Sequence, residues 1–188
     1  MNLTAVTDNA EIVNKHFLDA VDVLNHFPMA SGDAVIDIGT GAGFPGLPIK
    51  IYNDGIRLTL LEASQKKVSF LRFLIARLGQ ETGLETSSIR VISQRAEIAA
   101  TQPEHHHAYD WVLTRYVASL GDSMSYCLPF LKPNGTWLAY KAKNAEAEMR
   151  EAEVKLKSFA ANVRLTATHS RIAELNRVYI AVQVKEFH

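Results

Sequence analysis

The chain has 188 residues, 47% of them hydrophobic, with 20 basic and 20 acidic side chains. This length is sufficient for one domain with a substantial core, and zero net charge requires a local basic surface to attract any nucleic acid. The single cysteine excludes an intramolecular disulfide. With no signal-peptide pattern and no apolar run of the ~20 residues that span a bilayer, these features predict a cytoplasmic protein with no membrane segment.

The first predicted element is a helix over residues 8–27, where Val13, Phe17 and Leu24 recur at helical spacing and Pro28 ends the pattern. Strand-like and helix-like segments then alternate. The predicted strands are residues 34–38, 57–62, 89–93, 111–114 and 135–141. The predicted helical segments between them are residues 44–52, 65–78, a short turn near 95–100, and 119–131. This alternation is typical of a mainly parallel sheet with helices on both faces.

A helix over residues 145–161 precedes two final predicted strands, 163–168 and 177–184. Only residues 169–176 join these strands, and a parallel crossover needs a dozen or more residues, so the pair should be antiparallel. The prediction is therefore one domain over residues 1–188, with a helical segment (1–30) and a doubly wound, seven-stranded α/β core (31–188). A dinucleotide dehydrogenase would more often continue with a second α/β half.

A glycine-rich loop, DIGTGAGFPG at residues 37–46, follows the first strand. Gly41, Gly43 and Gly46 satisfy the dinucleotide-binding pattern G-x-G-x-x-G. Glu62 closes the second predicted strand, where an acid accepts hydrogen bonds from ribose hydroxyls. Both NAD and S-adenosylmethionine carry a ribose, so these residues predict an adenosine ligand and leave the cofactor open.

Three features favour S-adenosylmethionine. Asp37 extends the loop to D-x-G-x-G-x-G, a pattern of methyltransferases. Pro45 and Pro48 remove backbone N–H groups that a pyrophosphate would need. Glu97 follows the third strand, where methyltransferases of this fold place an acid near the adenine. For Glu62 and Glu97 the alternative is a solvated loop charge, and an NAD enzyme remains a rival.

Two further features are interpreted as structural. Cys127 lies in an apolar helical pattern and is expected in the core rather than as a nucleophile. His105–His107 lack an accompanying set of ligands at zinc spacing, so they predict a solvated loop and no metal site.

The segment after the fourth strand carries the candidate substrate contacts. Arg115 could bind a guanine edge, a phosphate or the cofactor carboxylate, with a structural ion pair as the alternative. Tyr116 could stack on an unpaired base or pack at a helix start. Lys141 and Lys143 could contribute to a basic face for RNA or simply solvate the surface.

Taken together, the ordered segments resemble one family, the bacterial guanine-N7 methyltransferases of small-subunit ribosomal RNA, also called glucose-inhibited division protein B. The segments that carry the resemblance are NLTA (2–5), HFLD (16–19), DIGTGAGFPG (37–46), LLEASQKKV (60–68), RAE (95–97), YDWVLTR (109–115), VASL (117–120) and CLPFLK (127–132). Family members usually carry further helical sequence before the first of these segments. The short N-terminus is either native or the result of a start site placed too late, and it leaves any RNA contact made by that helix open.

The resemblance implies a class I fold and methyl transfer from S-adenosylmethionine to guanine N7 in 16S ribosomal RNA, by a monomer acting on the RNA or the small-subunit particle. The implied cofactor contacts are Gly39, Gly41, Gly43, Phe44, Glu62, Ala96, Glu97 and Arg115. Arg115 would also stand at the active-site mouth. The family shares His16, but its place on a helix beside the apolar stripe predicts a structural hydrogen bond. The rivals are a methyltransferase of this fold with another RNA or a small molecule as substrate, and a non-catalytic binding module.

Overall fold

The computed structural model describes residues 13–142, 145–159 and 163–184. Its strands are β1 (Ala34–Ile38), β2 (Arg57–Glu62), β3 (Ile89–Ser93), β4 (Tyr109–Arg115), β5 (Leu131–Lys141), β6 (Val163–His169) and β7 (Val178–Val184). They form one sheet in the order β3-β2-β1-β4-β5-β7-β6. β7 is antiparallel to β5 and β6, and the other neighbouring pairs are parallel. The predicted doubly wound sheet with an antiparallel terminal pair is confirmed.

Helices cover both faces of this sheet. They are α1 (an irregular segment, residues 13–25), α2 (Gly46–Tyr52), α3 (Gln65–Thr82), α4 (Ala96–Ala99), α5 (Leu120–Cys127) and α6 (Ala145–Phe159). On one face, Val23, Leu47 and Leu71 of the first three helices join the buried core. On the other face, Ala99, Met124 and Leu156 of the last three helices do the same. The polypeptide thus reverses its winding between β3 and β4, which leaves a crevice beside β1.

The first helix is less regular than its apolar spacing predicted. Within the described residues it consists of a π-helical turn (Val13–Leu18), one α-helical turn (Asp19–Asp22) and a 3₁₀ turn (Val23–Asn25). Part of the predicted 8–27 helix lies outside the described residues. Such changes of helical pitch redirect side chains, and π turns are frequent at functional sites.

Several boundaries differ from the prediction: β4 covers Tyr109–Arg115 rather than 111–114, and α5 ends at Cys127 rather than 131. At two other boundaries local turn geometry overrides the pattern. β5 begins at Leu131 rather than 135, since a bulge opposite Tyr109–Trp111 accommodates Asn134 at φ 64° and lets pairing continue. α3 continues to Thr82, four residues beyond the predicted end at Leu78, because Gly83, at φ 71°, forms the left-handed cap.

The interpretation of Cys127 is confirmed: the side chain is fully buried, and burial raises the pKa of its thiol. The expectation for the histidine loop is partly wrong. His105 is buried, and its Nδ1 lies 3.0 Å from the Tyr109 hydroxyl. Tyr109 and Phe130 supply an aromatic environment for its ring, which periodicity does not reveal.

Among the described residues, no helix has both the length and the apolar character needed to cross a bilayer. The same residues contain no group of three or more His, Cys, Asp or Glu side chains arranged to hold a metal ion.

Candidate functional site

A solvent-open cleft of about 170 Å³ lies at the carboxyl ends of β1, β2 and β3. Its lining includes Gly39, Glu62, Ala96 and Glu97, four of the residues expected to contact a cofactor. Val117, the second residue after β4, also lines the cleft. Ligands of open α/β sheets bind at this edge, where the winding reverses.

The glycine-rich loop uses its own backbone donors internally. Backbone N–H groups with an acceptor inside the protein are those of Gly39 and Thr40 (to Leu61 O), Gly41 (to Glu62), Gly43 and Phe44 (to Thr40 O) and Gly46 (to Asp37). A pyrophosphate bound at a helix N-terminus needs such donors free. The loop therefore offers few free amide donors to a pyrophosphate.

Asp37 holds the two ends of this loop together. Its Oδ2 accepts hydrogen bonds from the Thr40 hydroxyl at 2.6 Å and from the Gly46 N–H at 2.9 Å. Its Oδ1 is buried with no partner among the described residues. Burial raises the pKa of Asp37 to about 6, against the lowering effect of these two hydrogen bonds. Asp37 lies beneath the loop and does not line the cleft, so it positions the loop from below.

Glu62 connects the same loop to the cleft. One carboxylate oxygen accepts the Gly41 N–H at 3.0 Å and the other accepts the Ser64 N–H at 2.9 Å. A carboxylate has about four lone-pair sites, so these bonds fix the side chain and leave acceptor capacity on the cleft side. Its role as a solvated loop charge is excluded, because the residue is buried.

Arg115 does not line the cleft; it lies in a buried ion-pair network. Its Nη1 donates to Asp19 Oδ2 at 3.1 Å, and its Nη2 lies 2.8 Å from His16 Nδ1. Arg177 binds the same carboxylate through Nε and Nη2, each at 2.8 Å. Burial opposes the charge of Arg177, but Asp19 holds the pKa of this guanidinium above its ordinary value. In this structure Arg115 makes the structural ion pair that was its alternative role.

Phe44, the loop residue expected at the cofactor, faces α1. Its ring centroid lies 5.2 Å from that of Phe17 and 5.4 Å from that of His16. The Arg115 guanidinium lies 5.3 Å from the Phe44 centroid. The loop and the N-terminal segment thus form one packed unit around Arg115.

Lys141 is also engaged in the structure. Its Nζ donates to the Ala118 carbonyl at 3.1 Å and to Glu148 at 3.0 Å, and Glu148 accepts the Leu120 N–H. Lys141 therefore clamps the segment after β4 rather than presenting a free charge to RNA. Lys143 lies outside the described residues.

Sequence reasoning missed the pairing of Asp19 and Arg177. Asp19 stood inside the HFLD segment that carries the resemblance, and Arg177 opens the last predicted strand. They are 158 residues apart in sequence, so only the folded chain brings them together. In the sequence, the pair could have been suspected only from Asp19, an acidic residue beside the apolar stripe of the first predicted helix.

A family model described as "rRNA small subunit methyltransferase G" matches residues 1–176. A protein of that name from Clostridium botulinum is 39% identical over 152 residues, which cover 81% of this chain and 61% of the relative. Another, from Lachnoclostridium phytofermentans, is 34% identical over 188 residues, covering 99% of this chain and 75% of the relative. The chain thus spans about three fifths of the length of the Clostridium relative.

The fold also resembles solved structures at low sequence identity. A SAM-dependent methyltransferase from Aquifex aeolicus superposes with a TM-score of 0.65 at 17% identity, covering 94% of each chain. At this identity the likeness concerns the fold alone.

Replacing Asp37 by Asn tests the buried carboxylate. Because the folded-state pKa of about 6 exceeds the ordinary 3.8, the wild type gains stability relative to Asp37→Asn as pH falls through 6. Between pH 7.5 and pH 5 the gain is on the order of 1 kcal/mol. Urea unfolding of both proteins at the two pH values measures it, and a pH-independent difference would contradict the buried, ionisable Asp37.

Replacing Asp19 by Asn leaves the buried guanidinium of Arg115 and the partly buried guanidinium of Arg177 without their counter-charge. We expect the free energy of unfolding to fall by about 3 kcal/mol or more. The matched control is Glu81→Gln, which breaks an exposed pair with Arg77 and should change the value by less than about 0.5 kcal/mol. Chemical denaturation measures both changes. Equal changes in the free energy of unfolding would show that the Asp19 network does not stabilise the fold more than an exposed ion pair.

Proposed function

The chain belongs to the rRNA small subunit methyltransferase G family, and from this premise we propose that it methylates N7 of a guanine in bacterial 16S ribosomal RNA, with S-adenosylmethionine as methyl donor.

The observation that carries the cofactor assignment is the state of the glycine-rich loop. Most of the backbone donors that a pyrophosphate would need are engaged within the protein, and two of them are bonded to the carboxylates of Asp37 and Glu62. Phosphates would meet negative charge and few donors there. A sulfonium ligand carries positive charge and no phosphate, and it suits this environment.

Different cleft residues would contact different parts of the cofactor. Glu62 would accept the ribose hydroxyls, and Ala96 and Glu97 would border the adenine, because they line the cleft at the ends of β2 and β3. Gly39 contributes an open backbone surface at the end of β1. Gly41, Gly43 and Phe44 determine the shape of the loop. Arg115 lies behind the loop and supports it through its contacts with Asp19 and His16.

When bound, S-adenosylmethionine would supply an activated methyl group to the guanine N7 lone pair; the C–S electrons would leave with sulfur and the base would take the positive charge. N7 carries no proton, so the protein needs no general base, and alignment of the two reactants is its main task. A cysteine nucleophile is likewise unnecessary, in agreement with the burial of Cys127.

The substrate assignment predicts a defined change in ribosomal RNA. Small-subunit RNA from a strain lacking this protein should lack one 7-methylguanine, and purified protein with S-adenosylmethionine should restore it. Mass spectrometry of nuclease digests measures the modification. An unchanged methylation pattern would eliminate the ribosomal RNA assignment, and a methylated small molecule would favour the rival methyltransferase.

Gly41→Val tests the cofactor assignment. Gly41 has φ 63°, and a Cβ there would have no protein atom nearer than 3.9 Å, so the substitution strains the loop and projects into open space. We expect S-adenosylmethionine binding to be lost, because the side chain obstructs the ligand, while the protein stays folded. Titration calorimetry and circular dichroism measure the two properties.

Gly43→Ala is the comparison variant. Its Cβ would lie 2.4 Å from a Leu47 methyl carbon, so this substitution should lower the thermal stability of the protein. Unimpaired cofactor binding by the folded Gly41→Val protein would contradict the loop's assigned role.

A further inference from the structure

Tyr116 combines two properties that packing alone does not explain. It follows β4 directly, and 75% of its surface is exposed, the highest value among the large hydrophobic side chains of the described residues. Its backbone has φ 56°, in the left-handed region, which is unfavourable for a bulky residue that is not glycine. Strained residues of this kind cluster at ligand-binding sites.

The ring is held in place from its protein side. The Arg177 Nη2 donates to the Tyr116 hydroxyl at 3.1 Å. The guanidinium carbons of Arg115 and Arg177 lie 5.1 and 5.4 Å from the ring centroid. Both arginines are fixed by Asp19, so an exposed aromatic side chain is supported by a buried ionic network.

The position of the ring relates it to the cofactor cleft. The next residue, Val117, lines that cleft, and one of its methyl carbons lies close to Gly39, 3.3 Å from where a Cβ would stand. Tyr116 therefore stands at the rim, on the side of the cleft nearest α1. A base lying on its ring would be beside the cleft that is assigned to the methyl donor.

We propose that Tyr116 is the platform on which the target guanine stacks, and that the guanine is unpaired and unstacked from its RNA neighbours when it is methylated. This inference rests on the proposed function. Stacking on an aromatic side chain needs a free base face, which a base inside a duplex does not offer. The accessibility of N7 in paired guanine therefore does not define the substrate; the exposed ring selects a base that has left its helix.

The test compares three variants in steady-state methylation of small-subunit RNA or particles from a strain lacking the protein. Tyr116→Gly removes the ring and relieves the backbone strain, Tyr116→Phe keeps the ring and loses only the hydroxyl, and Tyr52→Ala removes another tyrosine of similar exposure, 72%. Tyr52 ends α2, away from the cleft, and serves as the matched control.

For Tyr116→Gly we expect KM for the RNA to rise at least about tenfold, the size of one lost base–aromatic stack, with KM for the cofactor unchanged. Tyr116→Phe should stay within about threefold of wild type and Tyr52→Ala within about twofold. An unchanged RNA KM in Tyr116→Gly overturns the proposal. An equal loss in Tyr116→Phe also overturns it, because the hydroxyl bond to Arg177 would then be the essential feature.

A second measurement does not depend on catalysis. Guanosine 5′-monophosphate, added with S-adenosylhomocysteine to fill the cleft, should show an upfield ring-current shift of its H8 proton with wild type and Tyr116→Phe, and none with Tyr116→Gly. Absence of the shift in wild type overturns the platform even if ribosomal RNA is methylated. A ring-dependent shift without methylation of ribosomal RNA would support a base-binding ring and refute the proposed function.

Discussion

The architecture of the site depends on one buried carboxylate. Asp19 comes from the N-terminal helical segment and binds Arg115 at the end of β4 and Arg177 just before β7. Three distant parts of the chain therefore meet at a single charge. Because an unpaired buried charge is costly, any displacement of α1 from the sheet edge is penalised. This interaction fixes Arg115, whose guanidinium contacts the rings of both Phe44 and Tyr116.

Two further carboxylates, those of Asp37 and Glu62, organise the glycine-rich loop. Asp37 joins the end of β1 to the start of α2 through Thr40 and Gly46, and Glu62 joins β2 to Gly41. The loop is thus organised by negative groups and internal hydrogen bonds rather than by an approaching phosphate. The cost of this arrangement appears in Asp37, whose burial raises its pKa to about 6.

These two centres divide the proposed chemistry. In the proposed function the loop and the cleft would hold the methyl donor, and the ionic network would support the surface that receives the base. Neither centre needs to remove a proton, since N7 attacks through a free lone pair. Catalysis of this kind relies on the relative placement of two reactants, which is what a rigid loop and a rigidly supported ring provide.

Much of the fold and part of the site follow from local patterns in the sequence. The bounds of the first three strands, the antiparallel pair and the loop with Glu62 depend on hydrophobic period, connection length and glycine spacing, which are properties of short segments. The helix end at Gly83 and the bulge at Asn134 were missed, because single residues in left-handed conformation override the periodic pattern.

The sequence by itself determined a doubly wound sheet with a loop suited to an adenosine ligand, and with the family resemblance it pointed to four residues that line the cleft: Gly39, Glu62, Ala96 and Glu97. It left Arg115 between a ligand contact and an ion pair, and it left Tyr116 between a platform and a packed side chain. Only the tertiary structure decided that Arg115 is paired and that the Tyr116 ring is exposed. The reason is physical: Asp19, Arg115 and Arg177 lie far apart in sequence, and their charges interact only after folding removes them together from water.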